Sequence, residues 1–187
     1  MGSIPAIFLD KDGTLIRDVP NNTDIRHIEL TPHAMQGLRK LDKAGFRFFI
    51  ITNQRGIADG LFTESDLTRV KDFLEQIFAD NDLKLSGFYY CPHHPKAAVE
   101  QFREVCDCRK PGPGLIRQAV KDHELDVARS WLIGDILDDI ECGRRAGCRT
   151  ILMDTGNETE WHWTELRRPH YKVKNILEAA RLIADPI

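Results

Sequence analysis

Residues 4–14 read IPAIFLDKDGT, a short apolar run that ends abruptly in two aspartates, a glycine and a threonine. An apolar run of this length, bounded by polar residues, is typical of a strand buried on both faces of a parallel sheet. Asp10 and Asp12 are two positions apart just beyond the strand, where both carboxylates can lean toward one pocket. Taken by itself, this stretch is also compatible with an ordinary turn.

Further apolar runs follow along the chain, and stretches with helical spacing separate them. The runs predict strands at residues 46–52, 88–90, 131–133 and 150–153. Helices are predicted from Thr31 as N-cap to Gly45 as C-cap, after Thr63, and at 114–123, 137–146 and 175–184. This alternation predicts an α/β fold, a doubly wound, Rossmann-like parallel sheet with helices on both faces. Residues 17–30 and 91–113 fit neither element, and such long irregular segments are often functional.

The composition is that of an ordinary globular chain, with 187 residues and a formal net charge of −3. Hydrophobic residues make up 42% of it, which excludes a disordered chain, and the length predicts a single domain over residues 1–187. No apolar run approaches the roughly 20 residues of a membrane-spanning helix, and the near-neutral charge does not indicate nucleic-acid binding. We therefore expect a cytoplasmic protein without membrane or nucleic-acid partners.

Polar residues stand at the ends of several predicted strands, where doubly wound sheets bind their ligands. The carboxylates of Asp10, Asp12 and Asp135 are the oxygen ligands that Mg²⁺ prefers. Asp10 could then attack phosphorus as a nucleophile while Asp12 handles protons. Lys110 and the Thr52 hydroxyl could hold the oxygens of a transferring phosphoryl group. Each motif alone has an ordinary explanation, but their joint occurrence at predicted strand ends favours a catalytic site.

Together these residues resemble the four motifs of the haloacid dehalogenase-like phosphohydrolases. The matching motifs are Asp10-x-Asp12-Gly13-Thr14, Thr52-Asn53, Lys110 and Gly134-Asp135-x-x-x-Asp139, and they span residues 5 to 156 approximately. The resemblance implies a Rossmann-like sheet and an aspartyl-phosphate intermediate on Asp10, with Asp12 as general acid and base. It also implies that Thr52 and Lys110 hold the phosphoryl group and that Asp135 binds Mg²⁺.

A narrower resemblance is carried by residues 89–95 (YYCPHHP), 105–111 (VCDCRKP) and 52–58 (TNQRGIA). These stretches are similar to the D-glycero-D-manno-heptose 1,7-bisphosphate phosphatases, which remove the 7-phosphate during bacterial ADP- or GDP-heptose synthesis. That family is cytoplasmic, monomeric and essentially capless, with a zinc-binding loop that corresponds here to residues 91–110 approximately. The resemblance implies that a small phosphorylated sugar is bound by Asp18, Asn53, Gln54, Arg55 and Arg109.

Four side chains of this loop suggest a metal site on chemical grounds as well. Cys91, His93, Cys106 and Cys108 offer three sulfurs and one nitrogen, a closed tetrahedral set suited to structural Zn²⁺. The spacing within each pair is less common than Cys-x-x-Cys, so packed free thiols remain an alternative. His94 is adjacent to His93 and could take its place, although the family pattern selects His93.

The sequence leaves other functions open. Histidinol-phosphate phosphatases carry a similar zinc loop, but the longer span between the zinc pairs here, residues 94–105, favours the heptose family. Another small phosphosugar phosphatase is a further alternative. A catalytically degenerate zinc-loop binding module is disfavoured, because no motif carboxylate is missing. Ile136 stands where the heptose enzymes often have lysine, and this departure bears on the sugar and its anomer rather than on the reaction.

Overall fold

The computed structural model describes residues 3–185, and this part of the chain forms a six-stranded sheet. The strands are β1 (Ala6–Leu9), β2 (Arg47–Asn53), β3 (Leu85–Cys91), β4 (Trp131–Gly134), β5 (Arg149–Met153) and β6 (Tyr171–Val173). They pair in parallel, in the order β3-β2-β1-β4-β5-β6. The predicted doubly wound parallel sheet is therefore confirmed. Residues 1–2 and 186–187 of the predicted domain lie outside the described residues. That residues 1–187 form a single domain stays a prediction.

Helices cover both faces of this sheet. They are α1 (Ala34–Lys43), α2 (Arg55–Ala58), α3 (Glu64–Ala79), α4 (Gly114–His123), α5 (Leu137–Ala146) and α6 (Ile176–Ala184). Ile7 and Leu9 of β1 belong to a buried cluster with residues of α1, α3 and α6, whereas Ala6 and Phe8 belong to a second cluster with residues of α4 and α5. Both faces of β1 are thus buried, which explains its lack of polar positions. Within residues 3–185, no helix is long and apolar enough to span a membrane.

The strand order places a crevice between the ends of β1 and β4. The chain runs from β1 outward to β2 and β3, and then returns to the other side of β1 as β4. Ligands of doubly wound sheets bind at this switch point, beyond the carboxyl ends of the strands. Asp10 directly follows β1 and Asp135 directly follows β4, so the fold brings these two carboxylates to the same crevice.

The predicted start of α1 is wrong. The helix begins at Ala34, with His33 in the N-cap position and in a left-handed backbone conformation. Thr31 does not cap it, because its hydroxyl donates to the Thr14 carbonyl at 2.6 Å. Thr31 therefore ties the entry of the helix to the loop that carries the first two aspartates.

Two short elements, α2 and β6, are not predicted by the sequence. They contain four and three residues, too few to show a hydrophobic period. β6 is an edge strand and exposes Tyr171 and Lys172, so it also lacks the continuous apolar run of the inner strands.

Candidate active site

Three buried carboxylates and one buried ammonium form the centre of the crevice. Carboxylate oxygens of Asp10, Asp135 and Asp139 all lie within 4.8 Å of one another, and we call these residues the acidic cluster. Lys110 Nζ lies 2.5 Å from Asp10 Oδ1 and 2.6 Å from Asp139 Oδ1. The same nitrogen donates to the Ile51 carbonyl at 3.0 Å. One lysine therefore joins the ends of β1 and β2 to the first turn of α5.

The charges of this group do not balance. Burial raises the pKa of Asp10 well above its ordinary value; Lys110 opposes this rise, while Asp139 and Asp135 reinforce it. Burial and then repulsion from Asp139 raise the pKa of Asp135 to about 7. Burial alone would lower the pKa of Lys110, but the two carboxylates that it contacts raise it. Three carboxylates facing one ammonium create a demand for further positive charge, which a divalent cation can meet.

Asp135 is held in place by groups from three segments. Asn157 Nδ2 donates to its Oδ2 at 2.8 Å, and the Thr14 hydroxyl donates to its Oδ1 at 3.3 Å. Gly13 has a φ of +81°, and a Cβ there would lie 2.1 Å from Asp135 Oδ2. Glycine at position 13 is thus required both by the backbone conformation and by the close approach of the carboxylate.

Asp139 and Asn157 are functional candidates for which the sequence alone predicts no role. Asp139 occupies the third position of α5, where its Oδ2 accepts from the Ile136 N–H at 3.2 Å while Oδ1 accepts from Lys110. The sequence marks Asp139 only by its position in the fourth motif. Asn157 lies in the irregular segment after β5, and no local pattern connects it with Asp135.

The Asp12 carboxylate is not part of the acidic cluster. Its Oδ1 accepts from Lys11 Nζ at 2.6 Å, and its Oδ2 accepts from Gln54 Nε2 at 3.1 Å. The same Gln54 nitrogen donates to Thr52 Oγ1 at 2.8 Å. Because the Thr52 oxygen accepts this bond, the hydroxyl hydrogen of Thr52 is left for another acceptor.

Asn53 contacts the backbone of Lys110 through both ends of its amide. Its Oδ1 accepts from the Lys110 N–H at 2.9 Å, and its Nδ2 donates to the Lys110 carbonyl at 3.1 Å. This pair of bonds ties the end of β2 to the segment before α4. Asn53 thereby supports the residue whose ammonium reaches the acidic cluster.

Two adjoining cavities open onto these groups. The first has a volume of about 200 Å³ and is lined by Asp10, Asp12, Asp18, Thr52, Asn53, Lys110, Asp135, Ile136 and Asn157. The second, of about 140 Å³, shares Asp12, Asp18 and Asn53 with it and adds Lys11, Asn21, Asn22, Gln54, Arg55, Gly56 and Phe62. Arg109 lines neither cavity, and its guanidinium donates to the His93 carbonyl at 3.3 Å. Most of the residues that line the two cavities are polar, which suits a small polar ligand.

The four proposed zinc ligands come together at the end of β3. The Sγ–Sγ distances are 3.5 Å for Cys91–Cys106, 3.0 Å for Cys91–Cys108 and 3.1 Å for Cys106–Cys108. The Nδ1 atom of His93 lies 3.3 Å from Cys108 Sγ. These four side chains could hold one metal ion, since all four ligand atoms lie within 4.8 Å of one another. His94 instead accepts the Lys96 N–H at its Nδ1 atom.

Comparisons with known proteins point to one group of phosphatases. A family model described as HAD-hydrolase-like matches residues 107–179. A D-glycero-beta-D-manno-heptose-1,7-bisphosphate 7-phosphatase of Escherichia coli O6:H1 is 43% identical over 155 residues, 82% of this chain and 82% of that protein. A D-glycero-D-manno-heptose-1,7-bisphosphate 7-phosphatase of Chlorobaculum tepidum is 39% identical over 166 residues, 86% of this chain and 83% of that protein.

A solved structure shares the fold over nearly the whole chain. It is a D,D-heptose 1,7-bisphosphate phosphatase from B. bronchiseptica complexed with magnesium and phosphate. The alignment has a TM-score of 0.79 at 24% identity and covers 98% of this chain and 100% of that chain.

The fold, the crevice and these relatives together define a haloacid dehalogenase-like phosphatase, a phosphoric monoester hydrolase. Within that class, the chain belongs to the family of the D-glycero-D-manno-heptose-1,7-bisphosphate 7-phosphatases. The family resemblance seen in the sequence motifs is thereby confirmed.

Proposed function

We propose that this chain removes the 7-phosphate of D-glycero-D-manno-heptose 1,7-bisphosphate with the help of Mg²⁺. The observation that carries the proposal is the 43% identity, over 82% of the chain, to a phosphatase of that name. The polar cavities beside the acidic cluster, about 200 and about 140 Å³ in volume, suit a compact phosphorylated sugar. The monomeric state and the cytoplasmic location expected from the family resemblance stay predictions.

The proposed reaction uses Asp10 and Asp12 in two steps. A carboxylate oxygen of Asp10 attacks phosphorus, the bond to the sugar oxygen breaks, and that oxygen takes a proton from Asp12. A water molecule then attacks the phosphorus of the aspartyl-phosphate and gives its proton to Asp12. The bond between phosphorus and Asp10 breaks, and inorganic phosphate leaves.

The acidic cluster supplies the ligands for Mg²⁺. Hard carboxylate oxygens at close range and an excess of negative charge fit this ion. Asp10 and Asp135 line the first cavity and are the proposed carboxylate ligands. Asp139 lines neither cavity, and both of its oxygens are engaged, Oδ1 by Lys110 and Oδ2 by the Ile136 N–H. Asp12, the third ligand in the sequence-based hypothesis, would have to turn its carboxylate away from Lys11 to reach the ion. When bound, Mg²⁺ would offset the negative charge of the phosphoryl group.

Lys110 and Thr52 are proposed to hold the phosphoryl oxygens. The ammonium of Lys110 donates its three hydrogens to Asp10, Asp139 and the Ile51 carbonyl. A phosphoryl oxygen would replace Asp10 as one acceptor, while the other two bonds keep the positive charge at the reacting centre. Thr52 accepts a hydrogen bond from Gln54, so its own hydroxyl hydrogen can point to the substrate.

The sugar and its second phosphate are proposed to bind in the outer part of the crevice. Asp18 lines both cavities, and Arg55 lines the smaller one while pairing with Asp59 at 2.9 Å. Arg109 directly follows the zinc ligand candidate Cys108 and could turn to the second phosphate from its present contact with a backbone carbonyl. Gln54 retains its amide oxygen for the sugar.

We also propose that Cys91, His93, Cys106 and Cys108 bind a structural Zn²⁺. Three thiols and one imidazole whose ligand atoms all lie within 4.8 Å of one another fit tetrahedral coordination of this ion. The ion would order the segment that carries Lys110 and Arg109 and would take no part in the reaction.

The test is phosphate release from both anomers of heptose 1,7-bisphosphate and from histidinol phosphate, with and without Mg²⁺. We expect Mg²⁺-dependent release from one heptose anomer and none from Asp10→Asn, whose folding is checked by circular dichroism. Release from histidinol phosphate alone would preserve the chemistry and overturn the substrate. If the folded, zinc-loaded protein releases no phosphate from any of them, the proposed substrate is wrong, which leaves a phosphatase for another substrate or a zinc-loop binding module.

A further inference from the structure

A second buried lysine lies beside the crevice, and the reaction described above does not use it. The Lys11 side chain is 2% exposed, whereas the Asp12 side chain that it contacts is 34% exposed. Burying an ammonium is costly unless a partner compensates it. The ion pair with Asp12 Oδ1 at 2.6 Å provides this compensation.

The partner of Lys11 is the proposed proton-transfer group, and both of its oxygens are engaged. Lys11 holds Oδ1, while Gln54 Nε2 donates to Oδ2 at 3.1 Å. These two bonds fix the side-chain torsions of Asp12. They also keep its carboxylate apart from the acidic cluster, where the metal is proposed to bind.

An untethered carboxylate at this position would be attracted to a divalent cation in the neighbouring cluster. It would then be lost for proton transfer, since a general acid must stay within hydrogen-bond reach of the leaving oxygen. The ion pair with the buried ammonium of Lys11 opposes this movement. Gln54 alone offers one neutral hydrogen bond, and hydrogen bonds from charged donors are about twice as strong.

We propose that Lys11 is a positioning residue that holds the Asp12 carboxylate in place for proton transfer and away from the acidic cluster. The proposal rests on the proposed function. It assigns Lys11 no contact with the phosphoryl group and no proton of its own to transfer.

The two chemical steps allow a specific test, because they depend on Asp12 differently. A sugar oxygen needs a proton from Asp12 in order to leave, whereas the phenolate of 2,4-dinitrophenyl phosphate leaves without one. Hydrolysis of the aspartyl-phosphate needs Asp12 as a base with either substrate. Loss of Asp12 positioning should therefore spare the first turnover of the aryl phosphate and slow every later turnover.

The variants are Lys11→Met, which keeps the length of the side chain, and Lys11→Gln, which serves if the methionine variant does not fold. With the heptose bisphosphate we expect kcat to fall about tenfold to a hundredfold, with KM within about threefold of wild type. With the aryl phosphate, we expect a burst of one phenolate per site at about the wild-type rate, followed by slow turnover. Lys11→Arg, which keeps a charged donor, should restore part of kcat.

Lys40→Met is the matched control, because Lys40 also pairs with an aspartate, Asp185, at 2.8 Å but on the surface of α1. It should behave as wild type. An equal loss in the burst rate would show general distortion of the site, and a raised KM at constant kcat would show that Lys11 binds substrate. Either result, or unchanged kinetics, overturns the positioning role. Inactive wild-type enzyme would instead contradict the proposed function.

Discussion

Asp10 and Asp135 show how far the surroundings of a side chain can shift its chemistry. Both are aspartates at the ends of parallel strands, buried and close to a third carboxylate, Asp139. Lys110 compensates part of this charge, but burial and mutual repulsion still raise the pKa of both groups. Burial and repulsion of these ionised carboxylates therefore destabilise the folded protein at the position where it is proposed to bind a metal and a phosphoryl group.

The raised pKa values predict how the free energy of unfolding depends on pH when Mg²⁺ is absent. In the unfolded chain these carboxylates have pKa values of about 4. Between that value and the raised folded-state pKa, the folded protein binds protons that the unfolded chain does not bind. Stability should therefore increase as the pH falls from about 8 to about 5.5, through the Asp135 pKa of about 7. Denaturant unfolding without added Mg²⁺, and with zinc retained, measures this slope.

Asp135→Asn isolates the contribution of this one carboxylate. The variant should be more stable than wild type by roughly 1–2 kcal/mol at the higher pH, and its pH slope should be flatter. Asp42→Asn, at an exposed position on α1, is the matched control and should change neither quantity. Equal pH slopes of the unfolding free energy in wild type and Asp135→Asn would show that the pKa of Asp135 is not raised in the folded protein.

At the scale of elements, the crevice depends on how the ends of strands are joined to the irregular segment 91–113. Asn53, the last residue of β2, contacts the backbone of Lys110 through two hydrogen bonds. The sequence suggested a sugar contact for Asn53 because its family motif allows one. The structure adds a second role that local sequence does not reveal, since residues 53 and 110 are far apart in the chain.

Asn53→Ala distinguishes these two roles. Loss of both bonds to Lys110 should misplace its ammonium and lower kcat about tenfold or more, with KM within about threefold of wild type. Steady-state kinetics with the heptose bisphosphate provide the measurement. A large rise in KM at unchanged kcat would instead identify Asn53 as a direct sugar contact.

The zinc loop gives a second prediction at this scale. Cys106→Ser should lose the bound zinc and lower the thermal stability of the protein, because the segment before Lys110 loses its cross-link. Elemental analysis and a thermal scan measure the two effects. Cys142→Ser is the control: this buried thiol donates to the Gly112 carbonyl outside the cluster, and the serine hydroxyl can do the same. Equal zinc contents in the two variants would contradict the proposed ligand set.

At the scale of the whole molecule, strand direction explains what the sequence could predict. Asp10, Thr52 and Asp135 each stand at or just after the end of an apolar run, and parallel strands bring such ends together. Strand direction does not predict the contact of Asn157 with Asp135, because Asn157 lies in an irregular segment after β5. Nor does it predict that Lys11 turns back into the protein, because a lysine between two aspartates is an ordinary surface pattern.

A ligand that binds only the assembled crevice should stabilise the entire fold. Mg²⁺ with beryllium fluoride imitates a phosphorylated aspartate, and at a hundred times its Kd a ligand adds about 2.7 kcal/mol. For a chain of this length we expect Tm to rise by roughly 5–10 °C. The rise should disappear in Asp10→Asn. An undiminished rise in that variant would place the bound fluoride away from Asp10.

The proposed mechanism is tested most directly by identifying the residue that is phosphorylated during turnover. Heptose 1,7-bisphosphate labelled with ³²P in its 7-phosphate is mixed with the Mg²⁺-loaded enzyme, quenched in acid within one turnover, and the protein is digested and mapped. An aspartyl-phosphate on Asp10 predicts a hydroxylamine-sensitive label on the peptide that contains this residue, and no label in Asp10→Asn. Label on another residue, or phosphate release by an active enzyme that never becomes labelled, would contradict it.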